Sequence, residues 1–189
     1  MNWILASESP RRIELLSSLI KNFKSITADI EEHNPNTGNP VEIVQNNAKK
    51  KASFVSDKNP ESYVIGADTI ISIEDTILSK PLTINEGKAM LRLLSNKTHS
   101  VHTGVCVINK SENFFKTCAV ESSVTFLALS DSDIDWYTEN TTPLDKAGGY
   151  AIQEHQERII KEFNGSYSNI MGLPLEHLKV WLPLNEEQT

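Results

Sequence analysis

The chain has 189 residues, enough for one domain that buries about 70% of the surface its unfolded form would expose. Apolar residues make up 39% and charged residues 23%, an ordinary globular mixture, with disorder expected only at the end, Asn185 to Thr189. Its 18 basic and 25 acidic side chains give a formal charge of −7, which argues against general binding to nucleic acid or an anionic membrane.

Trp3 to Ala6 is a short apolar run that reads as a buried strand. Ser9 then offers an N-cap and Pro10 an N1 residue, and Ile13, Leu16 and Ile20 follow at helical spacing. A second strand is expected near Phe23 to Ala28, and Asn34 to Pro40 reads as a loop. Asn39 caps a second helix whose apolar stripe is Val41, Val44, Ala48, Ala52 and Val55. Tyr63 to Ile73 is the strongest strand signal, followed by a short strand at Thr76 to Leu78.

Thr83 and Glu86 form a capping box for a helix through Leu94. Thr98 to Asn109 and Phe114 to Ala128 read as a long antiparallel hairpin, and Ser130 with Asp133 caps a short helix through Tyr137. After Gly148-Gly149, Tyr150 to Gln153 resembles a strand. Asn164 to Tyr167 and Met171 to Pro174 read as turns, and the last helix carries Leu175, Leu178 and Trp181. Interleaved strands and helices around one hairpin imply an α/β protein with a mixed sheet flanked by helices, in a single domain over residues 1–189.

Two cysteines, Cys106 and Cys118, are too few for a disulfide scaffold and read as strand thiols that lie near each other across the hairpin. The five histidines show no metal-ligand spacing and read mostly as surface or loop residues. The N-terminus lacks the pattern of a secretory signal, and no apolar run reaches membrane-spanning length, so a cytoplasmic location is expected.

Several residues invite a chemical reading beside a plain one. Arg11 and Arg12 stand at about N2 and N3 of the first helix, where the macrodipole makes each cation unfavourable by about 0.3–1 kcal/mol. Either they are solvated, or with Ser7, Ser9 and the free amides they grip an anion such as phosphate. Asp68 interrupts an apolar strand and needs a turn, a buried hydrogen bond, or a role as base or metal ligand; Thr69 adds a hydroxyl beside it. In the run Lys49-Lys50-Lys51 all three are solvated or one turns inward. Lys80, before Pro81, is a turn lysine or a ligand contact, and Lys146 precedes two permissive glycines. Glu31 and Glu32 are rim charges or a carboxylate source for a divalent cation.

Taken together, these segments resemble the Maf family of nucleoside triphosphate pyrophosphatases. The resemblance rests on Leu5-Ala6-Ser7-Glu8-Ser9-Pro10-Arg11-Arg12, Gly66-Ala67-Asp68-Thr69, Ser79-Lys80-Pro81, the run Leu144 to Gln153, Asn164 to Tyr167 and Gly172 to Leu175, in order along nearly the whole chain. It implies a Maf/inosine-triphosphatase-like fold: an elongated mixed sheet in two lobes with a central cleft. It implies hydrolysis at the α-phosphorus to a nucleoside monophosphate and pyrophosphate. It assigns Asp68 as proton acceptor and Ser7, Arg12, Lys51 and Lys80 as phosphate contacts. Arg11, Thr69 and Gln153 match the dTTP/UTP subgroup, and a relation to homodimers is implied. Glu154 departs from the family, which commonly has Gly there.

The expected cofactor is Mg²⁺ or Mn²⁺ on Asp68 and Glu32, with Arg11, Arg12, Lys51, Lys80 and Lys146 supplying positive charge and Gln153 reading a pyrimidine edge. The rivals are a nucleotide sensor acting in cell division and a pyrophosphatase for 7-methyl-GTP or non-standard purine triphosphates.

Overall fold

A computed structural model describes residues 1–33 and 35–183. The expected disordered end, Asn185 to Thr189, and the first loop residue, Asn34, lie outside the described residues. The strands are β1 (Trp3–Leu5), β2 (Lys24–Ser25), β3 (Tyr63–Ile73), β4 (Thr76–Leu78), β5 (Thr98–Asn109), β6 (Phe114–Phe126) and β7 (Ile160–Asn164). The helices are α1 (Pro10–Ser17), α2 (Pro40–Ser56), α3 (Ile84–Leu94), α4 (Asp131–Asn140), α5 (Gln156–Ile159), α6 (Tyr167–Met171) and α7 (Leu175–Trp181). One mixed sheet runs β2-β1-β3-β5-β6-β7, with β4 paired to β3 off that path. The β1–β2 and β1–β3 pairs are parallel, joined through helices, and the remaining pairs are antiparallel.

Alternation along β3 sorts the core into two layers. Ile65, Ala67, Ile71 and Ile73 face one side with Leu15, Leu16, Leu19 and Ile20 from the α1 region. Val64 faces the other side with Ala48, Ala52 and Val55 of α2. Two glycines let α2 lie almost on the sheet: a Cβ on Gly66 would sit 2.3 Å from the Ala48 carbonyl oxygen, and one on Gly104 2.3 Å from that of Val44. Gly104 is the register partner of Asp68, so the closest approach of helix to sheet falls beside that carboxylate.

Most element boundaries follow the sequence signals, because caps and periodicity agree. Asn39 accepts from the Val41 and Glu42 amides, and Ser130 with Asp133 closes its capping box. Ser9 caps α1 by position alone, with no side-chain hydrogen bond. Glu86 turns back to the Leu82 amide at 2.7 Å, one residue before the cap.

Three expectations are corrected. The segment 150–153 is a turn, held by buried side chains, rather than a strand. The last strand lies at Ile160–Asn164, mostly exposed, where an edge position needs no apolar run. His99 and His102 are buried on β5, not at the surface. The two cysteines are one register step apart, Cys106 opposite Thr117 and Cys118 opposite Val105. Successive residues point to opposite faces, so they remain free thiols, which burial pushes up to about 12 and about 11 respectively.

Candidate active site

The edge of β3 is open where Asp68 lies. β1 pairs with β3 as far as Leu5 opposite Ile65, and antiparallel β4 pairs with it only from Ile71, opposite Leu78, onward. A last bond from the Ala6 amide to the Ile65 carbonyl, 2.8 Å, ends the β1 ladder before the chain peels away into α1. A cleft of about 810 Å³ opens at this gap, lined by residues 6–12, 79–80 and 145–147 and by Lys51, Asp68, Thr69 and Gln153, among others. Asp68 is therefore mid-strand rather than at a strand end, and exposure of the strand edge gives it access to the cleft.

Asp68 points to the α2 face. Its Oδ1 accepts from the Lys51 ammonium at 2.7 Å, and its Oδ2 accepts from Asn47 Nδ2 at 2.9 Å. The same ammonium meets Glu32 Oε1 at 2.9 Å. Lys51 is thus the inward member of the lysine run, at 7% exposure, while Lys49 and Lys50 stay outside. Asn47 was not anticipated. It is fully buried and also pairs with both backbone groups of His33, donating to its carbonyl and accepting from its amide, each at 3.0 Å. The signal was an Asn four residues before Lys51 within an apolar helix stripe, where only a partnered amide belongs.

Thr69 points to the α1 face. Its hydroxyl meets Arg12 Nη2 at 2.9 Å and Thr103 Oγ1 at 3.0 Å. Arg12 also donates from Nε to the Gly172 carbonyl at 2.8 Å and from Nη1 to Ser7 Oγ at 3.4 Å. Gly172 has φ +109°, and a Cβ there would sit 3.1 Å from Thr69 Oγ1, so glycine suits this approach. Burial lowers the proton affinity of the Arg12 guanidinium, and Asp68 partly restores it. Lys80 enters the cleft from the loop after β4. Desolvation first, then the Arg12 and Lys51 cations, lower its pKa, while Glu32 and Asp68 oppose the shift.

The far wall carries a second charged group. Arg11 donates to Asp145 Oδ2 at 3.1 Å and to the Asp145 carbonyl at 3.0 Å. Lys146, 2% exposed, contributes to the cleft wall. Its ammonium is ringed by Thr142 O at 2.6 Å, Thr142 Oγ1 at 2.8 Å, Asp145 Oδ1 at 2.8 Å and Glu154 Oε1 at 3.2 Å. Gln153 is exposed and lines the cleft nearby. The structure thus brings Ser7, Arg12, Lys51, Asp68, Thr69, Lys80, Glu32, Arg11 and Gln153 to one cleft, with the Lys146 ammonium engaged in its own loop.

Among the described residues, no three His, Cys, Asp or Glu side chains converge as a metal cage. Of the carboxylates that line the cleft, Asp68 and Glu32 lie together, both within bonding reach of one ammonium. One or two carboxylates suit a hard divalent cation whose remaining ligands are phosphate oxygens and water, so the donor set fits such an ion. No helix among the described residues is long and apolar enough to cross a membrane.

A family model described as Maf-like protein matches residues 2–183. The chain belongs to the Maf family. Its relatives include a dTTP/UTP pyrophosphatase of Syntrophus aciditrophicus, 41% identical over 93% of this chain and 85% of that one. Another dTTP/UTP pyrophosphatase, from Bacillus cereus strain G9842, is 42% identical over 93% of this chain and 91% of the relative. Among solved structures, a nucleoside-triphosphatase (dITP/XTP pyrophosphatase) of Mycobacterium abscessus superposes with a TM-score of 0.46 at 12% identity, over 97% of this chain and all of the other. A HAM1 protein from Coxiella burnetii gives 0.45 at 18% identity, over 67% of this chain and 73% of its own.

Proposed function

We propose that this Maf protein is a nucleoside triphosphate pyrophosphatase that hydrolyses dTTP and UTP to the nucleoside monophosphate and pyrophosphate. The observation that carries the reading is one carboxylate, Asp68, placed at an open strand edge among cations from three separate segments: Arg12, Lys51 and Lys80. A site that only bound triphosphate would gain nothing from a carboxylate facing it; a hydrolase gains a base for the attacking water. The names of the relatives, dTTP/UTP pyrophosphatase, support the pyrimidine choice.

In this reading Arg12, Ser7 and Lys80 bind the phosphates and stabilise charge that develops at the α-phosphorus. Asp68 takes the proton of the attacking water, and Lys51 and Asn47 fix its orientation. Arg11, Thr69 and Gln153 distinguish the accepted nucleotide, with the Gln153 amide able both to donate to and to accept from a pyrimidine edge. Asp68 and Glu32 would hold a divalent cation, which when bound supplies Lewis-acid polarisation of phosphate oxygens. A cytoplasmic enzyme, with a homodimer as its assembly, completes the proposal. Pyrophosphate release measured on a panel of dTTP, UTP, ITP and 7-methyl-GTP tests it; a preference for either of the last two, or no release at all, refutes it.

A further inference from the structure

Buried polar side chains hold the turn 150–154 at successive points. His99 Nε2 and the Tyr150 hydroxyl lie 2.7 Å apart. The Ala151 amide donates to the Tyr137 hydroxyl at 3.1 Å. Lys146 meets Glu154 Oε1 at 3.2 Å. Tyr150, Ala151 and Ile152 are buried as a result, and Gln153 is the residue left pointing outward at the cleft. Glu154 follows Gln153 directly, so its carboxylate fixes the peptide that carries the Gln153 side chain.

The anchor reaches further. Lys146 also bonds Asp145, and Asp145 bonds Arg11 at the start of α1. Arg11, Asp145, Lys146 and Glu154 form one chain of alternating charge along the cleft wall. Its ends are Arg11, assigned above to nucleotide choice, and Glu154, the direct neighbour of Gln153, which has the same assignment. An ammonium has three N–H groups, and Lys146 already faces four oxygens at 2.6–3.2 Å. Turning it toward a phosphate would strip Glu154 of its cation. The other carboxylate oxygen, Oε2, is already buried without a hydrogen-bond partner, so that displacement would leave a carboxylate that is only 31% exposed to rely on partial solvation.

We infer that Lys146 and Glu154 are a positioning pair that holds Gln153 for base recognition, and that Lys146 does not bind the triphosphate. The inference rests on the proposed pyrimidine nucleotide pyrophosphatase activity. A recognition amide displaced by about 1 Å loses much of its effect, so loosening the pair erodes discrimination between bases while leaving phosphate binding intact.

The test uses the full chain with UTP, GTP and inorganic triphosphate, the last a probe of the phosphate subsite that carries no base. Glu154→Gln keeps volume and removes the charge; Lys146→Met removes the ammonium; Lys146→Arg keeps the ion pair. Glu154→Gln and Lys146→Met are expected to narrow the UTP-to-GTP ratio of kcat/KM by about tenfold, the size of one lost recognition contact. Inhibition by inorganic triphosphate is expected to stay at the wild-type value in both variants. The double variant is expected to be no worse than Lys146→Met alone, and Lys146→Arg to restore the ratio. A large rise in the inhibition constant for triphosphate in Lys146→Met, with the UTP-to-GTP ratio kept, overturns the inference. An unchanged ratio in Glu154→Gln overturns it too, which keeps the test decisive should Lys146→Met fail to fold. If the wild type releases no pyrophosphate from any nucleotide, the activity itself is refuted. The pair is then judged by UTP and GTP affinities in calorimetry, on the same criteria.

Discussion

Replacing Asp68 by Asn separates the base from the binding site. The two side chains have the same shape, and Asp68 is 4% exposed, so little packing is disturbed. Hydrogen bonding does change. Oδ1 accepts from Lys51 at 2.7 Å and Oδ2 from Asn47 Nδ2 at 2.9 Å. An amide keeps one acceptor, and its NH₂ would then face another donor. Lys51 retains Glu32 at 2.9 Å, so the ammonium is not stranded. The expected stability cost is about 1–3 kcal/mol, the price of one unsatisfied buried polar contact. The rate cost is larger: loss of a general base removes about 10²–10⁴-fold in kcat, or about 2.7–5.4 kcal/mol of barrier. Nucleotide binding measured without added divalent cation should be unchanged or tighter, because a negative charge beside the phosphates is gone. The assay is pyrophosphate release from UTP, paired with calorimetric UTP binding and a melting curve. A folded variant with kcat within about threefold of wild type, well short of the general-base range, would refute the assignment.

Other consequences follow from neighbouring contacts. Asn47→Ala removes the bond to Asp68 and both bonds to His33; it should cost about 1–3 kcal/mol in urea denaturation and raise hydrogen exchange at the His33 amide. Gly104→Ala puts a Cβ 2.3 Å from the Val44 carbonyl oxygen. It should destabilise the protein by about 1–3 kcal/mol and lower UTP turnover as α2 shifts, whereas wild-type stability would show that α2 does not rest on that residue. Burial lowers His99 to about 4, so the folded state binds fewer protons than the unfolded state between that value and the ordinary one of about 6.5. The associated stability is present above pH ~6.5 and is lost as pH falls through ~4, about 3 kcal/mol in all. Urea midpoints across that window should flatten in His99→Gln.

Local signals that agree with tertiary structure were readable in advance. Asn39, Thr83 and Ser130 announce their helices because a cap acts within three residues. Tyr63–Ile73 is recovered to the residue because both faces of a central strand are buried. What stayed hidden depends on contacts distant in sequence. Nothing within 150–154 tells a strand from a turn; the decision lies with Tyr137, His99 and Lys146. Strand β7 is a polar edge strand docked on β6, with no apolar alternation to reveal it. Asp68 was visible as an anomaly in an apolar run, but its partner Asn47 is set by a helix lying on two glycines in different strands.

The arrangement of the cleft follows from the pleat. Asp68 and Thr69 are consecutive, so their side chains must point to opposite faces of β3. Lys51 and Asn47 reach Asp68 from α2 on one face, and Arg12 reaches Thr69 from α1 on the other. In the middle of a sheet, one ligand could not touch both groups, because a neighbouring strand would stand between the faces. Here β1 stops at Leu5 and β4 starts only opposite Ile71, which leaves the intervening edge of β3 free. In the proposed function, a triphosphate laid across that edge is reached by Arg12 and Ser7 from one face and by the Asp68 and Lys51 pair from the other, with Lys80 also lining the cleft. The early end of β1 is therefore a requirement of the site. It also explains why Ser7 to Arg12 begins a helix at that point: the chain leaves the sheet with Ser7 and Arg12 lining the gap it has opened.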